Sequence, residues 1–164
     1  MRNQAIRAVF ISIFFILLYI WIRFKFSWGV SAAAALLHDT LITIGFLSIL
    51  NVEIGMTVLA ALLTIVGYSI NDTIVIFSKI RENMRKNSNG MSLNQIVDLS
   101  LNQTLRRTLL TSISTALTVG SIFVLGGEAL HGFSFAMLVG VVFGTYSSIY
   151  VASPIMMLFS HRQK

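Results

Sequence analysis

Five runs of apolar side chains decide what this chain can become. They cover about Ile6–Ile22, Gly29–Leu50, Ile54–Phe77, Thr108–Leu125 and Phe133–Phe159. Crossing the ~30 Å hydrocarbon core of a bilayer takes about 20 apolar residues in a helix. The runs meet or approach that length, so the sequence predicts an all-α integral membrane protein. The expected architecture is a five-transmembrane-helix bundle forming a single domain over residues 1–164. Charged residues make up 11% of the chain, against about 25% in a soluble domain. That is too few to cover a water-facing surface. The first run follows Arg2 and Arg7, but Trp21, Arg23, Phe24 and Lys25 stand where a signal peptide would have small residues. It therefore reads as a mature span.

Charge orients the spans. The turns at 51–55 and 126–132 hold no Lys or Arg and carry Glu53 and Glu128. Ten of the 12 basic residues fall on the other side: Arg23, Lys25, Lys79, Arg81, Arg85, Lys86, Arg106, Arg107, Arg162 and Lys164. The positive-inside rule places that side in the cytoplasm. The N-terminus is then external and the C-terminus internal. The net charge of +6 is explained by this flanking, with no nucleic-acid partner. An external N-terminus without a leader predicts further residues upstream of Met1, with this chain the membrane portion of something longer.

One connection is long, from about 79 to 107. Asn87-Ser88-Asn89-Gly90 is turn chemistry. Ser92 and Gln95 then form a capping-box pattern. Leu93, Ile96, Val97, Leu101 and Leu105 follow at helical spacing. The expectation is a cytoplasmic amphipathic connector of about three turns, on the membrane surface or against the bundle. Helix contacts are marked by Gly140 and Gly144, with Ser147 and Ser148 extending their face. Pro154 falls inside the last run, where a neighbour can satisfy the carbonyl it frees.

The polar residues inside the spans carry the chemistry. Asp72 lies in Gly67-Tyr68-Ser69-Ile70-Asn71-Asp72-Thr73. It sits about 9 Å toward the cytoplasm from the middle of its span, at 1.5 Å per residue. An ionised carboxylate there costs about 3 kcal/mol on insertion scales. Such a residue needs a partner, a water path or a proton to move; the bland alternative is a structural ion pair. Asn71 and Thr73 add hydrogen-bonding groups at the same level. Asp39, beside His38, has two readings: a functional acid, or a carboxylate bonded to a Ser or Thr of a neighbouring helix. Of Arg106 and Arg107, one suits ordinary flanking and the other can turn inward. From Arg107, Thr111, Ser114 or Thr115, and Thr118 follow at helical steps, a polar stripe expected to face the bundle or a water-filled cavity. Arg81 and Arg85 share a helical face suited to anionic lipid. Apolar surroundings favour a protonated acid, and a nearby guanidinium favours the carboxylate. Arg107 moving relative to Asp72 would therefore load and unload a proton.

The sequence has no cysteine, and His38, His131 and His161 lack ligand spacing, so neither a disulfide nor a metal site is expected. It carries no P-loop, nucleophile elbow or H-E-x-x-H pattern, so neither an enzyme nor a cofactor is predicted.

These residues resemble the SecF family of bacterial protein-export subunits. Gly67 to Thr73 running into Ile80-Arg81-Glu82-Asn83 resembles its main signature. Leu37-His38-Asp39, Asn102-Gln103-Thr104-Leu105-Arg106-Arg107-Thr108, Gly126-Gly127-Glu128-Ala129-Leu130 with Gly132-Phe133, and 144–154 (from Gly144-Thr145-Tyr146 to Pro154) match four more, in order along nearly the whole chain. The resemblance implies half of a resistance-nodulation-division-type membrane domain, spans two to six of a six-span subunit. It implies pairing with SecD, and assistance to the SecYEG channel and SecA. The proton-motive force would help draw preproteins across the bacterial inner membrane. It also assigns proton transport to Asp72 and Arg107, with Arg106 at a variable position. The chain departs from the family at Ser78-Lys79, where Asp-Arg is common. Two other readings compete: half of a small-molecule/proton antiporter, and a structural scaffold in which Asp72 and Arg107 form a static pair.

Overall fold

The protein is described by a computed structural model over residues 2–23, 26–86 and 90–161. The expected turn Asn87-Ser88-Asn89 and the basic flanks Lys25, Arg162 and Lys164 lie outside the described residues. The described residues are almost wholly helical. Helix α1 spans Arg2–Arg23, α2 Phe26–Ile49, α3 Met56–Lys86, α4 Leu93–Leu125 and α5 Glu128–Ser147. A π-helical turn, Ser148–Ala152, joins α5 to α6, Ser153–His161. Among the described residues, four helices are long and apolar enough to cross a membrane: Ser27–Ile49, Met56–Lys86, Leu93–Leu125 and the rod Glu128–Ser160. A fifth crossing is not established for α1.

The connector between the third and fourth runs differs from expectation. Helix α3 continues to Lys86, well past Phe77, and the helix capped at Ser92 does not stop before Arg107. The capping box is present, with Gln95 N–H on the Ser92 hydroxyl and the Gln95 side chain on the Ser92 backbone. The helix it opens runs 33 residues into the apolar run. Hydropathy drops at Arg106-Arg107, yet neither residue breaks a helix, and Gly120 is the first glycine within α4. The connector face packs inward: Val97 is buried beside Phe77 and Ile80, and Asn83 Nδ2 donates to Ser100 Oγ (2.8 Å) and Gln103 Oε1 (2.9 Å). At 1.5 Å per residue, helices of this length exceed the ~30 Å apolar core by roughly 15 Å.

Helix α3 packs on α2, α4 and α5, and α5 in turn packs on α2 and α4. Two apolar clusters lie along it. One gathers Leu47, Val58, Ala61, Ile65, Val119, Ala136 and Met137. The other includes Trp28, Ala32, Ile76, Phe77, Ile80, Val97 and Met156. Between them lies a polar layer holding Asp39, Thr43, Ser69, Asp72, Thr73, Ser147 and Ser148, all buried.

Glycine sets the spacing of that layer. A Cβ on Gly140 would stand 2.3 Å from Ile65 Cγ1, and one on Gly144 3.2 Å from Ser69 Cβ. Pro154, lacking an N–H, cannot continue the helical ladder. The backbone widens into the π turn, and the Ser153 hydroxyl donates to the Ser148 carbonyl (3.3 Å).

Gly140→Ala should destabilise the protein by about 1–3 kcal/mol, the usual cost of overpacking. Gly67→Ala and Gly120→Ala meet nothing within 4 Å in this chain and should be neutral or stabilising. Thermal unfolding of the three variants in detergent checks the order; equal melting of all three would show that the seam is not tight.

Candidate functional site

The two intramembrane acids occupy opposite environments. Asp39, on α2, is 1% exposed. Its Oδ2 accepts from Ser69 Oγ of α3 (2.5 Å) and Ser147 Oγ of α5 (2.7 Å), while His38 Nδ1 lies 3.1 Å from its Oδ1. Both oxygens are thus engaged, and one carboxylate ties three helices together. This is the arrangement of the second reading given above for Asp39. The Thr43 hydroxyl is used by the Asp39 carbonyl (2.8 Å) and stays out of the cluster.

Asp72, on α3, is 5% exposed, and its Oδ2 is buried with no hydrogen-bond partner among the described residues. An unsatisfied charged oxygen costs more than an unsatisfied neutral one. Asp72 therefore has unused bonding capacity that Asp39 lacks. The cation whose field reaches it is Arg107. The two are not within ion-pair distance, and among the described residues Arg107 pairs with no acid.

Arg107 opens onto a groove of about 390 Å³ between α3 and α4, lined also by Val75, Ser78, Lys79, Glu82 and Gln103. Lys79 and Lys86 in this region are both held by Glu82, at 3.1 and 2.6 Å. Among the described residues, Arg107 is the cation of the groove's lining that has no acid partner. Asp72 does not line it; the groove takes in Arg107, and the acid is buried.

The neighbours of Asp72 do not cluster with it. Asn71 is exposed and lines a different groove, with Phe15, Tyr19 and Gly67. Thr73 is buried and bonds Ser148 Oγ (3.0 Å) and the Ser69 carbonyl (3.3 Å). Three consecutive residues of a helix point about 100° apart, so a shared level does not give a shared site. The stripe from Arg107 is also displaced. Thr111 and Thr118 are exposed, Thr115 is half-buried, and each hydroxyl donates to its own helix four residues back. The buried hydroxyl seam of α4 is Ser100, Thr104, Thr108 and Ser112, one residue away around the helix. Its signal was present in the sequence: four Ser or Thr at strict intervals of four. Ser112 bonds Thr145 Oγ1 (2.6 Å) and accepts from Tyr68 Oη (3.4 Å).

If Asp39 is an anion held for structure, Asp39→Asn should fold nearly as well as the parent, because an amide oxygen can accept from both serines. Asp39→Leu leaves the buried Ser69 hydroxyl without an acceptor, while Ser147 keeps the Gly144 carbonyl (3.1 Å), and should cost about 1–3 kcal/mol. Thermal melts of the two variants in detergent separate these outcomes; an Asn variant as unstable as the Leu variant would contradict the assignment.

Comparison with known proteins identifies relatives over nearly the whole chain. The sequence model of the family described as "Protein export membrane protein SecD/SecF, C-terminal" matches residues 1–162. The protein translocase subunit SecF of Koribacter versatilis is 50% identical over 159 residues, which cover 97% of this chain and 39% of that protein. The SecF of Petrotoga mobilis is 48% identical, over 99% of this chain and 54% of that protein. The crystal structure of SecDF from Thermus, described as a translocon-associated membrane protein, superposes with a TM-score of 0.92 at 43% identity. The match covers 98% of this chain and 22% of that one. The chain thus spans about half the length of the curated relatives it matches. With nearly every residue matched, the chain belongs to the SecD/SecF protein-export membrane family, in its C-terminal membrane region.

Proposed function

We propose that this chain is the SecF-type membrane half of a SecD–SecF complex, and that it moves protons through Asp72 under the control of Arg107. The proton-motive force would then assist preprotein movement through a SecYEG channel served by SecA. The observation that carries the reading is the contrast between the two buried acids. Asp39 has its oxygens engaged and is suited to remain one charge state. Asp72 keeps an oxygen free, in the field of a guanidinium that faces an open groove. When Arg107 is near, the carboxylate is favoured; when it withdraws, the low dielectric favours the protonated acid. A change in the α3–α4 packing that moves Arg107 would load or release a proton, coupling shape to flux.

A SecD half as partner is supported by α4. Thr111, Ser114, Thr118 and Ser121 are exposed in this chain within a long apolar helix. A polar stripe in a span is costly against lipid and is kept against protein or water. The remaining parts of the reading follow the charge distribution: α1 as a fifth crossing in a resistance-nodulation-division-type half, N-terminus outside and C-terminus in the cytoplasm of a bacterial inner membrane, and anionic lipid against the basic end of α3.

Asp72→Asn in the full complex should abolish the proton-dependent stimulation of preprotein export without lowering the protein level. Arg107→Ala should do the same. Export measured in cells and in proteoliposomes under a proton gradient checks this. Unchanged export in Asp72→Asn would favour the scaffold, and altered drug sensitivity with normal export would favour an antiporter.

A further inference from the structure

Thr108 is the exception among the threonines of α4. Ser100, Thr104, Thr111, Thr115 and Thr118 each donate their hydroxyl to the carbonyl four residues back. Thr108 is 1% exposed, and its Oγ1 is buried with no hydrogen-bond partner among the described residues. A buried hydroxyl left out of its own helix costs about 1–3 kcal/mol unless something satisfies it.

The register of the helices brings this group to the level of Asp72. Helices α3 and α4 run antiparallel, and Tyr68 Oη meets Ser112 Oγ across them. One turn along each helix from that contact, on the same faces, lie Asp72 and Thr108. The two unsatisfied buried oxygens of this pair of helices, Asp72 Oδ2 and Thr108 Oγ1, therefore sit on facing sides of one interface. They are not hydrogen-bonded to each other, and a water held between two such groups would satisfy both. On the far side of Thr108, one turn up the same face, Ser112 joins Tyr68 and Thr145 in a hydroxyl cluster.

We propose that Thr108 is a positioning residue of the proton site: its hydroxyl and Asp72 Oδ2 together hold one water, which links the acid to the Ser112–Tyr68–Thr145 cluster. This deepens the relay reading above and rests on it. An excess proton arriving on that water as hydronium passes to Asp72 Oδ2. A new O–H bond forms on the carboxyl, and a neutral water remains bound to Thr108. Release runs the same step backward. Arg107 and the groove would then govern one side of the acid, and Thr108 and the hydroxyls the other.

The test uses the full-length complex in proteoliposomes, with the Sec channel, its motor and a proton gradient. Thr108→Val keeps the shape and removes the hydroxyl. It should lower the proton-driven component of export by about tenfold, the worth of one hydrogen bond to a charged group. Thr108→Ser should restore most of it. In difference infrared spectra, the carboxyl C=O band assigned by its loss in Asp72→Asn should move to higher frequency in Thr108→Val, as a carboxyl does on losing a hydrogen bond. A structural role for the hydroxyl would leave that band in place. If Thr108→Val fails to assemble, Thr108→Ala takes its place in both measurements. Normal export with an unmoved band in the hydroxyl-less variant would overturn the proposal, as would a Ser variant no better than Val. If Asp72→Asn itself keeps its proton dependence, the relay reading fails; if only the Thr108 variants behave as the parent, this inference alone fails.

Discussion

The close approach of α3 and α5 underlies the rest of the bundle. Gly140 and Gly144 let Ile65 and Ser69 lie against the α5 backbone. At that distance Ser69 and Ser147 reach one oxygen of Asp39, and Thr73 reaches Ser148. In a membrane no water competes for these groups, so helices can only satisfy their polar side chains in one another. A larger side chain at either glycine would separate the donors from the acid. The seam thus converts a packing detail into a polar layer with a fixed register.

Fixing α3 on that side leaves its other side as the place where change can occur. Toward α2 and α5, hydroxyls and the Asp39 carboxylate engage one another. Toward α4, two buried oxygens lack partners and a guanidinium opens onto a groove. Two like acids are given unlike surroundings, a pattern familiar from proton-handling sites. The π turn before Pro154 begins at Ser148, which bonds Thr73, and there a rod-like helix is locally widened. Such turns recur near functional sites because they loosen the ladder without breaking the helix.

Much of this was legible in the residues. The long apolar runs, the capping box at Ser92, the Gly140–Gly144 face and the anomaly of Asp72 follow from side-chain chemistry and spacing. What misled was the step from a face to its neighbour. Periodicity states which residues share a stripe and is silent on which stripe is covered. The stripe from Arg107 is exposed within this chain, and packing against α3 and α5 buries the seam beside it, from Ser100 to Ser112. Asn71 is adjacent to Asp72 in sequence, but helical rotation sends it to the groove beside α1. At Arg107 hydropathy falls while helical propensity does not, so α4 runs through that point unbroken. The unpartnered state of Thr108 needs the positions of three helices at once, and no pattern within one helix carries it.

The account depends on Asp72 changing its protonation in response to Arg107 while Asp39 does not change. Carbon-13 NMR of the full complex with labelled aspartate carboxyls, followed across pH, reads this directly. The resonance of Asp72 should titrate, its midpoint should shift when Arg107→Gln removes the charge, and the resonance of Asp39 should stay flat. An Asp72 signal that is constant wherever export responds to the proton gradient, or that titrates identically without the guanidinium, would contradict the central claim.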